Sequence, residues 1–414
     1  MYERDARRSA ATVRQVRVTM FLYRGFALDS RVEREARTLA GLGHEVEVLA
    51  VLEGSLPRLE LRDGYEIRRL DPDGALGRAA ARLADSRLPA ALRRLALRGH
   101  WFLHWRRWLR GAAAAALERH ADAYIAHDLD ALPAAVRAGR RSRARLIYDS
   151  HELFPDMAGR AHRGELERRA WIAYERRLIR HADRVFAVTD SRAAEMSRRH
   201  GIPLPGVLRN VPEVCSPEEG VAGVREVLDL PEAARILLYL GMLQPDRGLE
   251  RAIEALALLP DCALVLMGEG EPDYVDALTE LAAARGADGS LHLLPPVRPH
   301  QVARAAASAD AGLIVNPNTA LNNYLSLPNK IFEYLAAGVP VVASDFPDMA
   351  ALIEEWEVGE TCDPDDPADI ARAVRAVIDD PRQHAALAVN AAAAAEELNW
   401  EREAKLLIEA LDLV

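Results

Sequence analysis

The sequence predicts two facing α/β domains, each built on a doubly wound parallel sheet. Three observations point to that class. The chain has 414 residues, more than one hydrophobic core usually supports, and half of them are hydrophobic. Short apolar, strand-like runs alternate with helix-like stretches through both halves, as a parallel sheet requires. Between the halves, residues 201–219 (GIPLPGVLRNVPEVCSPEE) are rich in Pro and Gly and lack helical periodicity, which marks a linker.

Taken in order, residues 16–23 (VRVTMFLY) read as a buried strand, followed by a loop containing Gly25. Asp29 and Ser30 then cap a helix whose Val32, Ala36, Leu39 and Ala40 fall on one face. Gly41 and Gly43 stop that helix, and residues 45–51 (EVEVLAV) alternate into a second strand, so the chain opens as a βαβ unit. Runs at 123–126, 146–148 and 185–188 extend the first sheet. The second half repeats the layout, with strands at 236–240, 263–267, 290–294, 311–315 and 339–343 and helices at 249–258 and 274–284 among them. From residue 366 to 411 the helices are Ala-rich and amphipathic, long enough to cross back onto the first domain. The expected organisation is a disordered N-terminus (1–15), a first domain (16–205), a second domain (206–390) and a crossing helix (391–414).

Charge and composition exclude several classes. A formal net charge of -10 argues against a general nucleic-acid binder, which needs a cationic face to displace counterions. Cys215, Cys262 and Cys362 lie too far apart for a zinc knuckle or a redox pair, which predicts free thiols in a reducing cytosol. Residues 1–15 are polar and charged, unlike a secretory signal. No apolar run reaches the roughly 20 residues that span a bilayer, so a soluble or peripheral protein is expected.

Two glycine-containing loops in the second half follow strands. The loop at 241–248 (GMLQPDRG) sits between a strand and a helix, where backbone amides and the helix dipole favour a phosphate and Arg247 adds a cation. Taken alone, Gly241 is explained as well by a tight turn. The loop MGEGEP, with Gly268, ends the next strand in the same way and is weak evidence by itself. The most informative segment is residues 323–345 (NYLSLPNKIFEYLAAGVPVVASD), where Pro328 opens a helix over 329–337, Gly338 ends it and a buried strand follows. Asn329, Lys330 and Glu333 share the first turns of that helix. Its free amides suit phosphate oxygens, and the Glu333 carboxylate suits the two hydroxyls of a ribose. A glutamate placed there only for the helix dipole is the plainer alternative. In the first half, IYDSHE ends a strand and puts His151 at the mouth of the sheet; His127, with Asp128, ends another.

FEYLAAGVPVVAS, preceded by GMLQPDRG and LMGEGE and, further upstream, by YDSHELFP and LRNVP, closely resembles retaining glycosyltransferases of family four (glycosyl transferases group 1). Their fold is GT-B, two Rossmann-like domains around a cleft, and the resemblance spans nearly the whole chain in order. It implies transfer of a sugar from a nucleotide-sugar donor (UDP- or GDP-linked) to a hydroxyl of a glycan, lipid-linked or small-molecule acceptor, with no metal ion and no other cofactor. By this resemblance Arg247 holds the diphosphate, Gly268 lies near the nucleotide, Glu333 holds the ribose and His151 contacts the transferred sugar. The loop at Gly25 and His127 fall on the acceptor side. The chain departs from the family twice. Many relatives carry two glutamates separated by seven residues, but the position eight before Glu333 is Leu325, and Met242 stands where a second basic residue usually follows the glycine at 241. Lys330 is placed to replace the missing cation. A nucleotide-sugar 2-epimerase of the same fold and a non-catalytic nucleotide-sugar-binding subunit are the alternatives.

One stretch stands apart. From residue 78 to 119 there are many arginines and almost no acids, and Trp101, Trp105 and Trp108 interleave with Arg106, Arg107 and Arg110 at helical spacing. Such a mixture suits the boundary between water and anionic lipid, and so a cytoplasmic protein peripheral at the inner membrane face. The plainer reading is a helix that packs its tryptophans on the sheet and leaves its arginines solvated.

Overall fold

A computed structural model describes residues 15–27, 29–72, 90–158, 164–213 and 222–412. The terminus expected to be disordered (but for Gln15), Cys215 and the first part of the arginine-rich stretch lie outside the described residues. The first sheet contains β1 (Arg17–Leu22), β2 (Glu45–Val51), β3 (Leu59–Arg62), β4 (Tyr65–Leu70), β5 (Ala123–His127), β6 (Arg145–Ser150), β7 (Arg184–Ala187) and β8 (Gly206–Val207). Their order is β3-β4-β2-β1-β5-β6-β7-β8, parallel throughout except at the edge, where β3 and β4 form an antiparallel hairpin. That hairpin escapes the sequence reading, although its Asp63-Gly64 turn, with φ of 44 and 86°, is a strong hairpin signal. The strands that were expected appear within a residue or two of their expected bounds.

Around this sheet lie α1 (Ser30–Gly41), α2 (Ala90–Arg119), α3 (Leu132–Gly139), α4 (Glu165–Ile179) and α5 (Asp190–His200). Helix α1 starts where Asp29 accepts a hydrogen bond from the Val32 amide at 3.2 Å, the N-cap that the sequence announces. The second sheet, ordered β11-β10-β9-β12-β13-β14, is wholly parallel: β9 (Arg235–Leu240), β10 (Cys262–Met267), β11 (Leu291–Leu294), β12 (Ala311–Ile314), β13 (Val341–Ser344) and β14 (Gly359–Cys362). Its helices include α6 (Leu249–Leu256), α7 (Pro272–Ala284), α8 (Leu321–Tyr324), α9 (Asn329–Ala336), α10 (Pro347–Trp356), α11 (Pro367–Ile378) and α12 (Pro381–Glu397).

The chain then returns. After a break at Leu398 and Asn399, helix α13 (Trp400–Asp412) packs on the first domain. Trp400 Nε1 donates to Thr38 Oγ1 at 2.8 Å, and Glu403 accepts from the Arg209 amide at 2.9 Å. One buried apolar cluster runs from Val32 and Leu39 of α1 through Trp400 and Leu407 to Phe332 of α9, so the two domains share part of their core.

The other face of the first sheet is covered by α2, α3 and α4, and the tryptophans of the arginine-rich stretch pack inward there. Trp105 and Trp108 are 4% and 1% exposed, and their indole N–H groups donate to the carbonyls of Asp130 and Ala50. Trp101 stacks on Trp105 with ring centroids 5.6 Å apart. The tryptophans are committed to the protein core and its aromatic cluster, whereas Arg106, Arg107 and Arg110 are exposed. Among the described residues no helix is long and apolar enough to cross a membrane.

Candidate active site

The loops after β9 and β10 press together at the carboxyl end of the second sheet. A Cβ on Gly268 would lie 1.8 Å from the Gly241 carbonyl oxygen, and one on Gly248, at φ 73°, would lie 1.8 Å from that of Val315. Close backbone approach therefore explains Gly248 and Gly268. Gly241 differs: at φ 118°, the nearest atom to an added Cβ would be Lys330 Nζ, at 3.7 Å. The Lys330 ammonium has reached over from the first turn of α9 and lies 3.6 Å from the centroid of the Tyr239 ring. Burial, reinforced by nearby Arg247, pushes its pKa well below the ordinary lysine value, while Glu333 opposes the shift. An anion entering this corner would remove both penalties.

Arg247 is oriented within its own loop by the Gln244 carboxamide, whose oxygen, turned to face the guanidinium, accepts at 2.9 and 3.1 Å. The half-buried Glu333 is pushed upward by burial, offset by Lys330 and by Arg34 of the first domain. Asn329 is exposed at the start of the same helix, whose first amides have no intrahelical partner. The structure thus brings Arg247, Gly241, Lys330 and Glu333 to one corner of the interdomain cleft, with Gly268 behind them and Asn329 at the helix end.

In the first domain, His151 sits above a buried ionic network. Arg31 grips Asp149 through both carboxylate oxygens, at 2.9 and 2.5 Å, and contacts Glu35 at 3.1 Å; all three are at most 2% exposed. Asp149 in turn lies 2.7 Å from His151 Nε2. Burial disfavours the imidazolium, but Asp149 and Asp128 outweigh it and lift His151 to about 9. Burial, with Asp149 adding to it, lifts the Glu35 carboxyl to about 8. Glu35, His127, Asp149 and His151 gather within 4.8 Å, as metal ligands would, but the Arg31 guanidinium already supplies the positive charge between the carboxylates. Asp128, at φ 65°, accepts from the amides of His151 and Glu152 at 2.9 and 3.1 Å and so fixes the histidine's loop.

The two residues expected on the acceptor side are both buried. His127 is fully buried beneath His151, 3.2 Å from its Nε2, and does not face the cleft. Gly25 is buried too: an added Cβ would meet the Glu53 side chain, and its carbonyl accepts from Arg69 Nε at 2.9 Å. Arg69 also binds the carbonyls of Phe26 and Pro57, so the loop is stapled from within.

Sequence reasoning missed Arg31, Glu35 and Asp149. The only available signal was the i, i+4 spacing of Arg31 and Glu35 beside the apolar stripe of α1, a pattern more often found on a solvated face. It missed Asn322 as well. This α8 residue crosses the cleft, accepting from the Leu153 amide at 2.8 Å and donating to Glu152 at 2.6 Å, directly after His151. Arg192 ties the same strip by donating to the carbonyls of Asn322 and His151.

A family model for "Glycosyl transferases group 1" matches residues 223–394, and one for a "Glycosyl transferase 4-like domain" matches residues 28–210. The chain belongs to the glycosyltransferase group 1 family. This glycosyltransferase is 25% identical over 407 residues to a D-inositol 3-phosphate glycosyltransferase of a Nocardioides species, covering 90% of this chain and 82% of that one. A namesake from Streptosporangium roseum is 28% identical over 261 residues, 58% of this chain, and the match spans only 57% of that relative's length. Among solved structures, sucrose-phosphate synthase from Thermosynechococcus elongatus superposes with a TM-score of 0.77 at 17% identity, covering 95% of this chain and 98% of that one. HepE from Anabaena, solved with UDP and glucose, gives 0.71 at 18%, covering 97% and 100%. The expected GT-B architecture is therefore the one this glycosyltransferase has.

Proposed function

We propose that this glycosyltransferase is a retaining enzyme that moves a sugar from a UDP- or GDP-linked donor to an acceptor hydroxyl without a metal ion. The observation that carries this reading is the corner where Arg247, Lys330 and the amino end of α9 converge beside the half-buried Glu333. Two cations and a helix end offset the charge that grows on a departing diphosphate, the task a divalent ion performs elsewhere. Glu333 takes the ribose hydroxyls. His151, held as an imidazolium, donates to the transferred sugar and does not act as a base. Retention is carried over from the family resemblance: acceptor attack and diphosphate departure share one face of the sugar. The buried free thiols of Cys262 and Cys362 fit a cytoplasmic location. Because HepE was solved with UDP-glucose, UDP-sugars are the first donors to try, and the inositol-phosphate relatives make a phosphorylated polyol the first acceptor.

Incubation with a panel of nucleotide sugars, with and without EDTA and followed by mass spectrometry, tests this. Released nucleotide and a glycosylated acceptor, undiminished by EDTA, are expected. An isomerised donor would instead identify a 2-epimerase, an unchanged donor across the panel a binding subunit, and loss in EDTA restored by manganese a metal-dependent enzyme.

A further inference from the structure

On the face of the first domain away from α1, helices α2, α3 and α4 enclose a groove of about 900 Å³. Its floor is aromatic and aliphatic, with Trp105, Trp171 and Tyr174 prominent. Its rim carries Arg106, Arg110, Arg137, Arg140 and Arg141, and no acidic residue lines it. All five arginines are exposed, and among the described residues none of them has a carboxylate partner, although the chain as a whole carries a net charge of -10. Exposed arginines elsewhere in this protein are commonly paired, as Arg119, Arg198 and Arg372 are. Five unpaired guanidinium groups around one groove make a local positive field against the protein's overall charge.

A second observation gives the patch its direction. Phe102 and Leu166, at 44 and 85% exposure, project beside the groove, Phe102 from its lining and Leu166 one helical turn before Ala170 on its wall. The Arg106 guanidinium lies over the Phe102 ring, 5.6 Å from its centroid. A soluble polyanion would need the arginines and gain nothing from two protruding apolar side chains. A surface that presents phosphates above a hydrocarbon layer uses both.

We propose that this groove docks the protein on a bilayer of anionic phospholipid, the arginines on headgroup phosphates and Phe102 and Leu166 in the acyl boundary. The buried tryptophans form the floor and are not the insertion elements. The binding step is separate from donor chemistry and stands or falls independently of it.

Sedimentation of the full chain with phosphatidylcholine vesicles, with and without phosphatidylglycerol, tests the proposal. Binding should require phosphatidylglycerol and weaken as salt rises. Each arginine near an anionic surface contributes roughly fivefold in partitioning, so Arg137→Glu, Arg140→Glu and Arg141→Glu together should reduce it by about a hundredfold or more. Phe102→Ser with Leu166→Ser should keep low-salt recruitment and lose the salt-resistant fraction. All of these positions are exposed, and unchanged thermal melting and nucleotide affinity verify the folded state of the variants. Wild-type protein left in the supernatant with phosphatidylglycerol vesicles at low salt would overturn the proposal. So would wild-type partitioning of the folded triple variant, equal binding to neutral vesicles, or competition by an oligonucleotide that binds more tightly than the vesicles.

Discussion

Replacing Lys330 with methionine should move stability and nucleotide affinity in opposite directions. In the empty protein the Lys330 ammonium is pushed well below its ordinary 10.5 by burial and by Arg247. A lysine whose folded pKa is depressed binds protons better in the unfolded chain. Its cost is therefore present at neutral pH and disappears as pH rises toward 10.5, at up to about 1.4 kcal/mol per pH unit. Methionine keeps an unbranched chain over the Tyr239 ring without the charge, and gives up a cation–π contact of roughly 1–2 kcal/mol. The empty variant should thus melt no lower than the wild type. With UDP or GDP the sign reverses, because a charge-assisted bond to the diphosphate contributes about 1.5–3 kcal/mol, a ten- to hundredfold change in Kd. Scanning fluorimetry with and without nucleotide, together with titration calorimetry in buffers of different ionisation enthalpy, reads both effects. Wild-type protein should take up a fraction of a proton on binding, as the diphosphate raises the Lys330 pKa, and the variant should not. Unchanged nucleotide affinity in Lys330→Met, or a fall in the melting temperature of the empty variant, would refute the assignment.

Other outcomes follow from the same geometry. Arg247→Ala and Glu333→Ala should each weaken nucleotide binding by about ten- to a hundredfold, since each removes a charged partner; calorimetry on both checks it. Turnover should fall as pH rises through about 9, where His151 loses its proton, and Asp149→Asn should draw that limb to lower pH in a pH–rate profile. Glu35 is lifted from 4.5 to about 8, so the folded state takes up a proton between those values and wild-type stability declines with pH across that window. Glu35→Gln should flatten this part of the decline in urea unfolding at stepped pH, gaining more at pH 8 than at pH 5. Leu325→Glu should lower the melting temperature without improving donor affinity, because it places a carboxylate at a 9% exposed site packed on the first domain.

The fold was legible in the sequence because its signals are local and repeated. A strand buried on both faces shows as an unbroken apolar run, as in residues 236–240, and a helix stop shows as Gly338, found here at φ 67°. The β3–β4 edge was not legible in the same way. Its strands, LELR and YEIRRL, are half-exposed and charged, and only the Asp-Gly turn marks them. The second-domain corner was readable for a related reason: Asn329, Lys330 and Glu333 are close in sequence and share one helix end, so spacing alone brings them together. Arg247 joins them through the rule that loops at the carboxyl ends of parallel strands meet.

The first-domain half was hidden because its chemistry depends on long-range burial. Arg31 meets Asp149 across 118 residues, and nothing local says that a helix-surface arginine will be 2% exposed. Leu325 makes the same point from the other side. Read against the family, it is a missing glutamate and hence a lost sugar contact. In the folded chain its side chain joins the apolar cluster of the first domain with Leu153 and Phe154, and its carbonyl accepts from Thr189 Oγ1 at 3.3 Å. Three residues away, Asn322 bonds the backbone just after His151. The strip therefore joins the two domains beside His151. An apolar residue at this position thus adds interdomain order, and in the proposed reading recognition of the sugar rests on His151 and the Lys330 corner.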